Sequence, residues 1–223
     1  MALEETVPET VEAYATAIGP DTDDLIEEMG AQAEREGFPY VGPAVGGWLA
    51  MLARFADAER VFEFGSGFGY SAYWFARELP EGGEVVLTEI DEDELEDARA
   101  YFERADVDPT PRFELGDAIE TVEDYEGPFD VVLVDNEKDR YAEAFESVRD
   151  KVAPGGVVAA DNATAGGSID AEALRAHFEG EAVDLDSMSA GIAEYVEAVR
   201  ADPAFETVLL PLGEGVAVSQ REH

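Results

Sequence analysis

Four polar residues that could do chemistry follow two neighbouring apolar runs of this 223-residue chain. Asp135 and Lys138 come after one run, and Asp161 and Asn162 come directly after the next. Their carboxylate and carboxamide oxygens suit a hard cation such as Mg²⁺, because no Cys or clustered His offers a softer ligand set. Lys138 is one of only two lysines, the other being Lys151, so its place here indicates a function. The alternative is that Asp161 or Asn162 only caps a turn.

A glycine-rich segment, residues 65–69, follows an earlier apolar run. Gly65 and Gly67 allow a tight turn and let the backbone approach a ligand without a Cβ in the way. Tyr70 stands where a dinucleotide fingerprint would have its third glycine, and its side chain would crowd a pyrophosphate. The spacing therefore favours a nucleoside without phosphates, although such a loop is not specific by itself.

Two more acids follow predicted strands and could bind that nucleoside. Glu89 could accept hydrogen bonds from both ribose hydroxyls, and Asp117 could accept one from an adenine amino group. In a chain so rich in acids, both are equally compatible with ordinary carboxylates at strand ends.

Short apolar runs alternate with amphipathic helices from residue 61 onward, which is typical of an α/β protein with a parallel sheet. Right-handed crossovers then give a doubly wound, mostly parallel, Rossmann-like sheet whose ligands bind beyond the carboxyl ends of the strands. The residues above should therefore share one edge. We predict strands at 61–64, 85–88, 112–115, 131–134 and 157–160, an antiparallel C-terminal hairpin at 208–210 and 216–219, and helices at 71–79, 91–105, 140–152, 170–179 and 189–201.

The first forty residues predict helices that cap the sheet, the second of them over 21–36. An apolar helix follows, with Pro43 at a first-turn position where a proline costs no hydrogen bond. The length and the apolar content of the chain fit one domain. We therefore predict a single domain over 1–223 that contains a helical cap at 1–40.

Acidic residues dominate the composition: 53 Asp plus Glu against 14 Lys plus Arg give a formal net charge of -39. A compact fold with this charge needs salt to screen it, and the acids are spread over the whole chain, as is typical of a halophilic archaeon. The same field repels nucleic-acid phosphates, so nucleic acid is not an expected partner. The sequence has no Cys, no signal-peptide pattern and no apolar run that could span a bilayer. We therefore expect a cytoplasmic protein without a membrane partner.

Several ordered motifs resemble those of the cation-dependent O-methyltransferases of the catechol and caffeoyl-CoA type, from about residue 38 to the end. They are 62–65 and 69–72 around the glycine loop, 134–135 and 138–141, and Asp161-Asn162, together with 40–42, 116–118 and 210–215. The resemblance implies the class I S-adenosylmethionine-dependent methyltransferase fold, with S-adenosylmethionine and a divalent cation, Mg²⁺, as cofactors.

The resemblance also implies roles for individual residues. Lys138 would be catalytic, beside the acceptor hydroxyl, and the metal ligands would be Asp135, Asp161 and Asn162. The residues implied in cofactor binding are Val41, Glu63, Gly65, Ser66, Gly67, Tyr70, Ser71, Glu89, Ile90, Asp117, Ala118 and Asp135.

These implications predict transfer of a methyl group to a hydroxyl of a small acceptor with a catechol-like or vicinal pair of oxygens. Residues 163–188 match the family poorly, so the acceptor stays undefined, and Glu214 fits either the pocket or a solvated turn. Relatives of this length are often dimers, which leaves a homodimer open. Three alternatives remain: a dinucleotide-binding oxidoreductase, a non-catalytic S-adenosylmethionine-binding module, and a methyltransferase for a small non-catechol hydroxyl.

Overall fold

A seven-stranded sheet forms the centre of the computed structural model, which describes residues 7–223. The strand order is β3-β2-β1-β4-β5-β7-β6, in which β1 to β5 run parallel and β7 runs antiparallel to both of its neighbours. The predicted doubly wound sheet with an antiparallel C-terminal hairpin is therefore confirmed. The strands are β1 (Arg60–Phe64), β2 (Glu84–Glu89), β3 (Thr110–Leu115), β4 (Phe129–Val134), β5 (Val152–Ala160), β6 (Phe205–Leu210) and β7 (Val216–Arg221).

Helices cover both faces of this sheet. No helix within residues 7–223 has the length and apolar character needed to cross a membrane. The α-helices of the described residues are α1 (Glu9–Ile18), α2 (Asp24–Glu36), α3 (Gly42–Phe55), α4 (Tyr70–Ala76), α5 (Glu92–Phe102), α6 (Ala118–Thr121), α7 (Tyr141–Val148), α8 (Ala171–Phe178) and α9 (Ser187–Ala201).

Aspartate side chains begin five of these helices. In each, the carboxylate accepts hydrogen bonds from backbone N–H groups that the first turn leaves without a partner, and its charge complements the helix dipole. This local role accounts for part of the acid excess of the sequence. The five capping residues are Asp23, Asp91, Asp117, Asp170 and Asp186.

Strand β4 shows why the central strands read as continuous apolar runs. Val131 and Leu133 belong to the core formed with α2 to α5, whereas Val132 and Val134 belong to the core formed with α7 and α9. All four are buried. Because side chains alternate between the two faces, a strand covered on both sides is apolar at every position.

The sheet order reverses beside β1, which has β2 on one side and β4 on the other. Such a reversal opens a crevice at the carboxyl ends of the strands. Phe64 pairs with Val134 there, so Gly65 meets Asp135. A Cβ added to Gly65 would lie 2.6 Å from the Asp135 carbonyl oxygen, and Gly65 has φ +78°. Both facts require glycine at the start of the loop.

Several element boundaries differ from the predictions: β5 begins at Val152 rather than at 157, β6 begins at Phe205 rather than at 208, and α4 ends at Ala76 rather than at 79. The helix predicted at 140–152 ends at Val148 and is flanked by the 3₁₀ turns Lys138–Arg140 and Arg149–Lys151, which tighten the two ends. The four-residue helix α6 is too short for a periodic pattern to reveal. Residues 1–6 of the predicted N-terminal cap lie outside the described residues.

Candidate functional site

Two adjacent cavities open at the carboxyl ends of the parallel strands, with volumes of about 370 and 300 Å³. Gly65, Glu89 and Asp135 line both, so these residues stand between the two spaces. Of the predicted site residues, Val41, Ser66, Gly67, Tyr70, Ser71, Lys138, Asp161 and Asn162 line only the first cavity, and Ile90, Asp117 and Ala118 line only the second.

Glu63 is the one predicted site residue that lines neither cavity. It lies on β1 with 0% exposure, and neither carboxyl oxygen has a hydrogen-bond partner. Burial raises the pKa of Glu63 to about 8. The Ser71 side chain lowers this pKa, whereas the negative charges of Asp135 and Glu89 raise it further. An acid at this position is therefore protonated near neutral pH, beneath the floor of the glycine loop.

The Glu89 carboxylate is fixed by backbone N–H groups. Gly67 N donates to Oε2 at 2.8 Å, while Ile90 N and Asp91 N donate to Oε1 at 2.8 and 3.0 Å. An ionised carboxylate has about four lone-pair directions. Three of these directions are used, so one, on Oε2, remains free to accept a hydrogen bond from a ligand hydroxyl at the boundary of the two cavities.

In the second cavity, Asp117 is paired with a cation that the sequence did not single out. Arg140 Nη1 donates to Asp117 Oδ2 at 2.7 Å, and Ile119 N donates to Asp117 Oδ1 at 2.9 Å. Burial opposes ionisation of Asp117, but these hydrogen bonds hold its pKa below the usual value. Arg140 also pairs with Glu143 at 3.0 Å, so its charge is matched by two carboxylates.

In the first cavity, Lys138 is held by two oxygen atoms. Its Nζ donates to Asp135 Oδ1 at 2.9 Å and to the Tyr141 hydroxyl at 2.7 Å. The Tyr141 hydroxyl lies 3.4 Å from Asp135 Oδ1 and 3.2 Å from the carbonyl oxygen of Asp161. Burial raises the pKa of Tyr141 well above its usual value, so this phenol remains a proton donor.

Tyr141 belongs to the 138–141 motif, but its residue type alone predicts no role in the site. It is completely buried, and it joins the β4 and β5 ends through the contacts just described. Its spacing of three residues from Lys138 was the signal available in the sequence, because residues i and i+3 of a helical turn share a face.

Asp161 and Asn162 contribute polar side chains to the lining of the first cavity. Asp161 is 5% exposed, and its Oδ1 is buried without a hydrogen-bond partner. Burial, and then repulsion from Asp135, raise the pKa of Asp161 to about 8. Asn162 has φ +55°, a left-handed conformation that asparagine tolerates better than most residues. Its Nδ2 contacts Glu214 Oε2.

Asp135 lies beside this pair with 26% of its side chain accessible. Burial beneath the surrounding atoms raises the pKa of Asp135, and the neighbouring Lys138 ammonium opposes that shift. No group of three or more His, Cys, Asp or Glu side chains within residues 7–223 has the arrangement of a metal site. The predicted oxygen set contains two such residues, Asp135 and Asp161, with the Asn162 carboxamide as the third ligand.

Residues beyond Asn162 form the outer wall of the first cavity, where the sequence had left the acceptor region undefined. Thr164 N and Ala165 N donate to the carbonyl oxygen of Glu214 at 3.0 and 2.9 Å, which ties this loop to the β6–β7 turn. Glu214 therefore belongs to the cavity rather than to an isolated solvated turn. Sequence reasoning also missed Phe38 and Pro39 in this lining, and it missed Gly166, Gly167 and Met188 in and beside the poorly matching segment 163–188, which carried little signal.

The strand order, the glycine turn beside Asp135 and the shared strand-end cavities define a class I S-adenosylmethionine-dependent methyltransferase fold. Residues 22–222 match the family described as "O-methyltransferase". The chain therefore belongs to the O-methyltransferase family.

Similar proteins agree with this membership. The chain is 32% identical over 168 residues to "Catechol O-methyltransferase" of Niastella koreensis, covering 72% of this chain and 76% of the relative. It is 30% identical over 184 residues to "Caffeoyl-CoA O-methyltransferase" of Petroselinum crispum, covering 79% and 74%. The O-methyltransferase of Bacillus cereus, solved "in complex SAH", superposes with a TM-score of 0.80 at 25% identity and covers 96% and 97%.

The protein is thus an S-adenosylmethionine-dependent O-methyltransferase that acts on a hydroxyl of a small-molecule acceptor. Membership of the O-methyltransferase family excludes the alternative that this chain is a dinucleotide-binding oxidoreductase. It agrees with the position of Tyr70, which lines the first cavity at the start of α4, where a dinucleotide site would have a glycine.

Proposed function

We propose that this chain methylates one hydroxyl of a small acceptor that has two vicinal oxygens, such as a catechol, with the help of a divalent cation, Mg²⁺. The observation that carries the proposal is the cluster of Asp135, Lys138 and Asp161, which lines the same cavity as the glycine loop. Such a cluster can help to ionise a hydroxyl that lies beside a methyl donor. The relatives named for catechol and caffeoyl-CoA substrates support the same acceptor chemistry.

For the cofactor, we propose that the ribose hydroxyls bind Glu89 and that the adenine lies in the second cavity, where Asp117 accepts a hydrogen bond from its amino group. Ile90 and Ala118 would form the walls around the base. The methionine part would lie in the first cavity, along the glycine loop. There Val41, Tyr70 and Ser71 line the space, and the buried Glu63 supports it from below.

For the cation, Asp135, Asp161 and Asn162 would be the ligands. The fit rests on the buried, unpartnered Oδ1 of Asp161 and on the pKa of Asp161, which burial and then repulsion from the half-buried Asp135 raise to about 8. A dication bound there would offset both the burial of the Asp161 charge and its repulsion by Asp135. Mg²⁺ prefers oxygen ligands of this kind. When bound, S-adenosylmethionine supplies the methyl group, and the cation supplies Lewis-acid stabilisation of the ionised hydroxyl.

Lys138 would position the reacting oxygen and hold its negative charge or its proton. An ammonium donates three hydrogen bonds. Those to Asp135 and Tyr141 are short, whereas the third, to the Asn136 carbonyl, is 3.4 Å long. The third contact is therefore the one that the acceptor oxygen would replace, while the other two keep the Lys138 side chain in place.

We also propose that the protein works as a homodimer in the cytoplasm of a halophilic organism. The exposed aromatic and aliphatic residues Tyr14, Ile18 and Phe55 on α1 and α3, at 66%, 68% and 69% exposure, support an interface with a second copy. The net charge of -39 supports a salt-rich setting. Sedimentation velocity in molar KCl tests the dimer, and a monomer there would contradict it.

Binding and turnover test the catalytic proposal. A thermal-shift panel in molar KCl should show stabilisation by S-adenosylmethionine and S-adenosylhomocysteine but not by NAD, because a ligand that binds only the folded state raises its stability. Mass spectrometry should then show methylation of catechol and far slower methylation of phenol, which lacks the second oxygen. Equal rates for both acceptors would favour the alternative of a methyltransferase for a simple hydroxyl.

A further inference from the structure

We infer that the first cavity selects its acceptor by charge: it takes catechols whose substituent is positively charged or neutral and disfavours those that carry a carboxylate or phosphate, with Glu214 as the selecting residue. This inference rests on the proposed function, because it presumes a small diol acceptor in the first cavity. It adds a prediction for the sign of the charge on the acceptor substituent that lies farthest from the diol.

The cavities contain few cations, and those are already paired. Of the 14 Lys and Arg residues in the chain, only Lys138 and Arg140 line either cavity. Lys138 pairs with Asp135 at 2.9 Å, and Arg140 pairs with Asp117 and Glu143. Residues 1–6, which lie outside the described part, contain no Lys or Arg. An acceptor with a negatively charged tail would therefore find no free side-chain cation on the described cavity walls.

Glu214 places the opposite charge at the cavity mouth. It is exposed, it lines the first cavity, and its Oε2 contacts Asn162 Nδ2. Within residues 7–223 it forms no ion pair with Lys, Arg or His. Its backbone is fixed, since the Glu214 carbonyl oxygen accepts hydrogen bonds from Thr164 N and Ala165 N and from the Thr164 hydroxyl. The carboxylate is thus held at the entrance without a compensating cation.

The rest of the wall suits a flat ring. Phe38, Tyr40 and Met188 supply apolar surface to a cavity of about 370 Å³ that must also hold the methionine part of the donor. The ring therefore has little room to turn. With the diol at Lys138, a substituent at the far end of the ring would approach the Glu214 carboxylate, which is exposed and lines the same cavity. A positive group there gains a charge-assisted contact, and a negative group is repelled.

The test uses three catechols of matched size that differ in charge: dopamine, 4-ethylcatechol and 3,4-dihydroxyphenylacetate. kcat/KM is measured for each with saturating S-adenosylmethionine and Mg²⁺, at one KCl concentration where far-UV circular dichroism shows all proteins folded. We expect the wild type to prefer dopamine to the acid. Glu214→Gln should reduce the dopamine-to-acid ratio about fivefold, the scale of an exposed ion pair. The neutral 4-ethylcatechol separates the two effects of this variant, because a general loss of activity lowers kcat/KM for all three catechols alike, whereas a loss of charge selection changes only the ratio.

Glu206→Gln is the matched control, because it removes the same charge from the same hairpin at an exposed position on β6 that lines neither cavity. It should leave the ratio unchanged. A wild-type preference for the acid, or an unchanged ratio in Glu214→Gln, would overturn the charge selection while catechol methylation stands. Binding of S-adenosylhomocysteine without methylation of any of the three catechols would instead overturn the proposed function, and with it this inference.

Discussion

Lys138 Nζ lies 2.9 Å from Asp135 Oδ1, in the segment that follows β4 at the crevice where the sheet order reverses. The two residues are three positions apart, yet their contact depends on the bend between the end of β4 and the 3₁₀ turn Lys138–Arg140. The ammonium is held against a half-buried carboxylate, and Lys138 lines the cavity that the glycine loop also lines. A rare lysine of this acidic chain is thus fixed at the site of the proposed chemistry.

Replacing Lys138 by alanine should lower kcat by about 10²-fold or more, the scale of a positioned acid or base. S-adenosylhomocysteine affinity, measured by calorimetry, should change far less, because Lys138 would act on the acceptor. Lys151→Ala is the matched control: it removes the other lysine, whose Nζ donates to the Val122 carbonyl at 2.6 Å and lines neither cavity. Equal kcat in the two variants would remove Lys138 from the mechanism.

Chelation should abolish turnover, and Mg²⁺ should restore it. The reason is that the buried Asp161, which has an unpartnered oxygen, and the half-buried Asp135 are neighbouring carboxylates that a dication would neutralise. Methyl transfer is measured in EDTA and after addition of excess Mg²⁺. Asp161→Asn should weaken the thermal stabilisation that Mg²⁺ gives to the wild type. Full activity in EDTA would mean that the oxygen cluster serves the fold rather than a cation.

Much of the active edge could be predicted from local sequence. Asp135 and Asp161 lie at one edge of the sheet, as predicted, because each follows a buried apolar strand and parallel strands bring their carboxyl ends together. The prediction of residues 65–69 as a turn depended only on glycine spacing. That residues 1–223 form a single domain stays a prediction.

Contacts between distant segments could not be predicted in the same way. The position of Glu214 depends on hydrogen bonds from Thr164 and Ala165, about 50 residues earlier in the chain, and no local pattern encodes them. The local sequence around Arg140 likewise does not reveal its ion pair with Asp117, because the fold brings the two residues together. Pairings between distant residues depend on the packed sheet, which explains why the acceptor wall was the part left undefined.

Gly65→Ala should destabilise the protein and abolish S-adenosylhomocysteine binding. The left-handed conformation at φ +78° costs an alanine about 1 kcal/mol or more, and the new Cβ would also lie 2.6 Å from the Asp135 carbonyl oxygen. Gly82→Ala separates the two effects: Gly82 has φ +85°, but nothing lies within 4 Å of its added Cβ. Urea unfolding should show the smaller loss for Gly82→Ala, with binding intact. Similar losses in both variants would assign the effect to backbone conformation alone.

The buried carboxyl of Glu63 should make the protein less stable as pH rises through the neutral range. Its pKa is about 8 in the folded state, against an ordinary value of 4.5. Between these values the unfolded chain releases the proton while the folded chain keeps it. The free energy of unfolding therefore falls as pH rises, by at most about 1.4 kcal/mol per pH unit for one group, and this loss ends above pH 8.

Glu63→Gln isolates this contribution, because the amide keeps the shape of the protonated acid and does not titrate. Urea unfolding at fixed molar KCl between pH 5 and 8 should show a shallower decline for the variant than for the wild type. Some decline should persist, since Asp161 also has its pKa raised to about 8 and contributes with the same sign. Parallel curves for the two proteins would mean that Glu63 is ionised in the fold, in which case a cation or an unseen donor must balance its charge beneath the glycine loop.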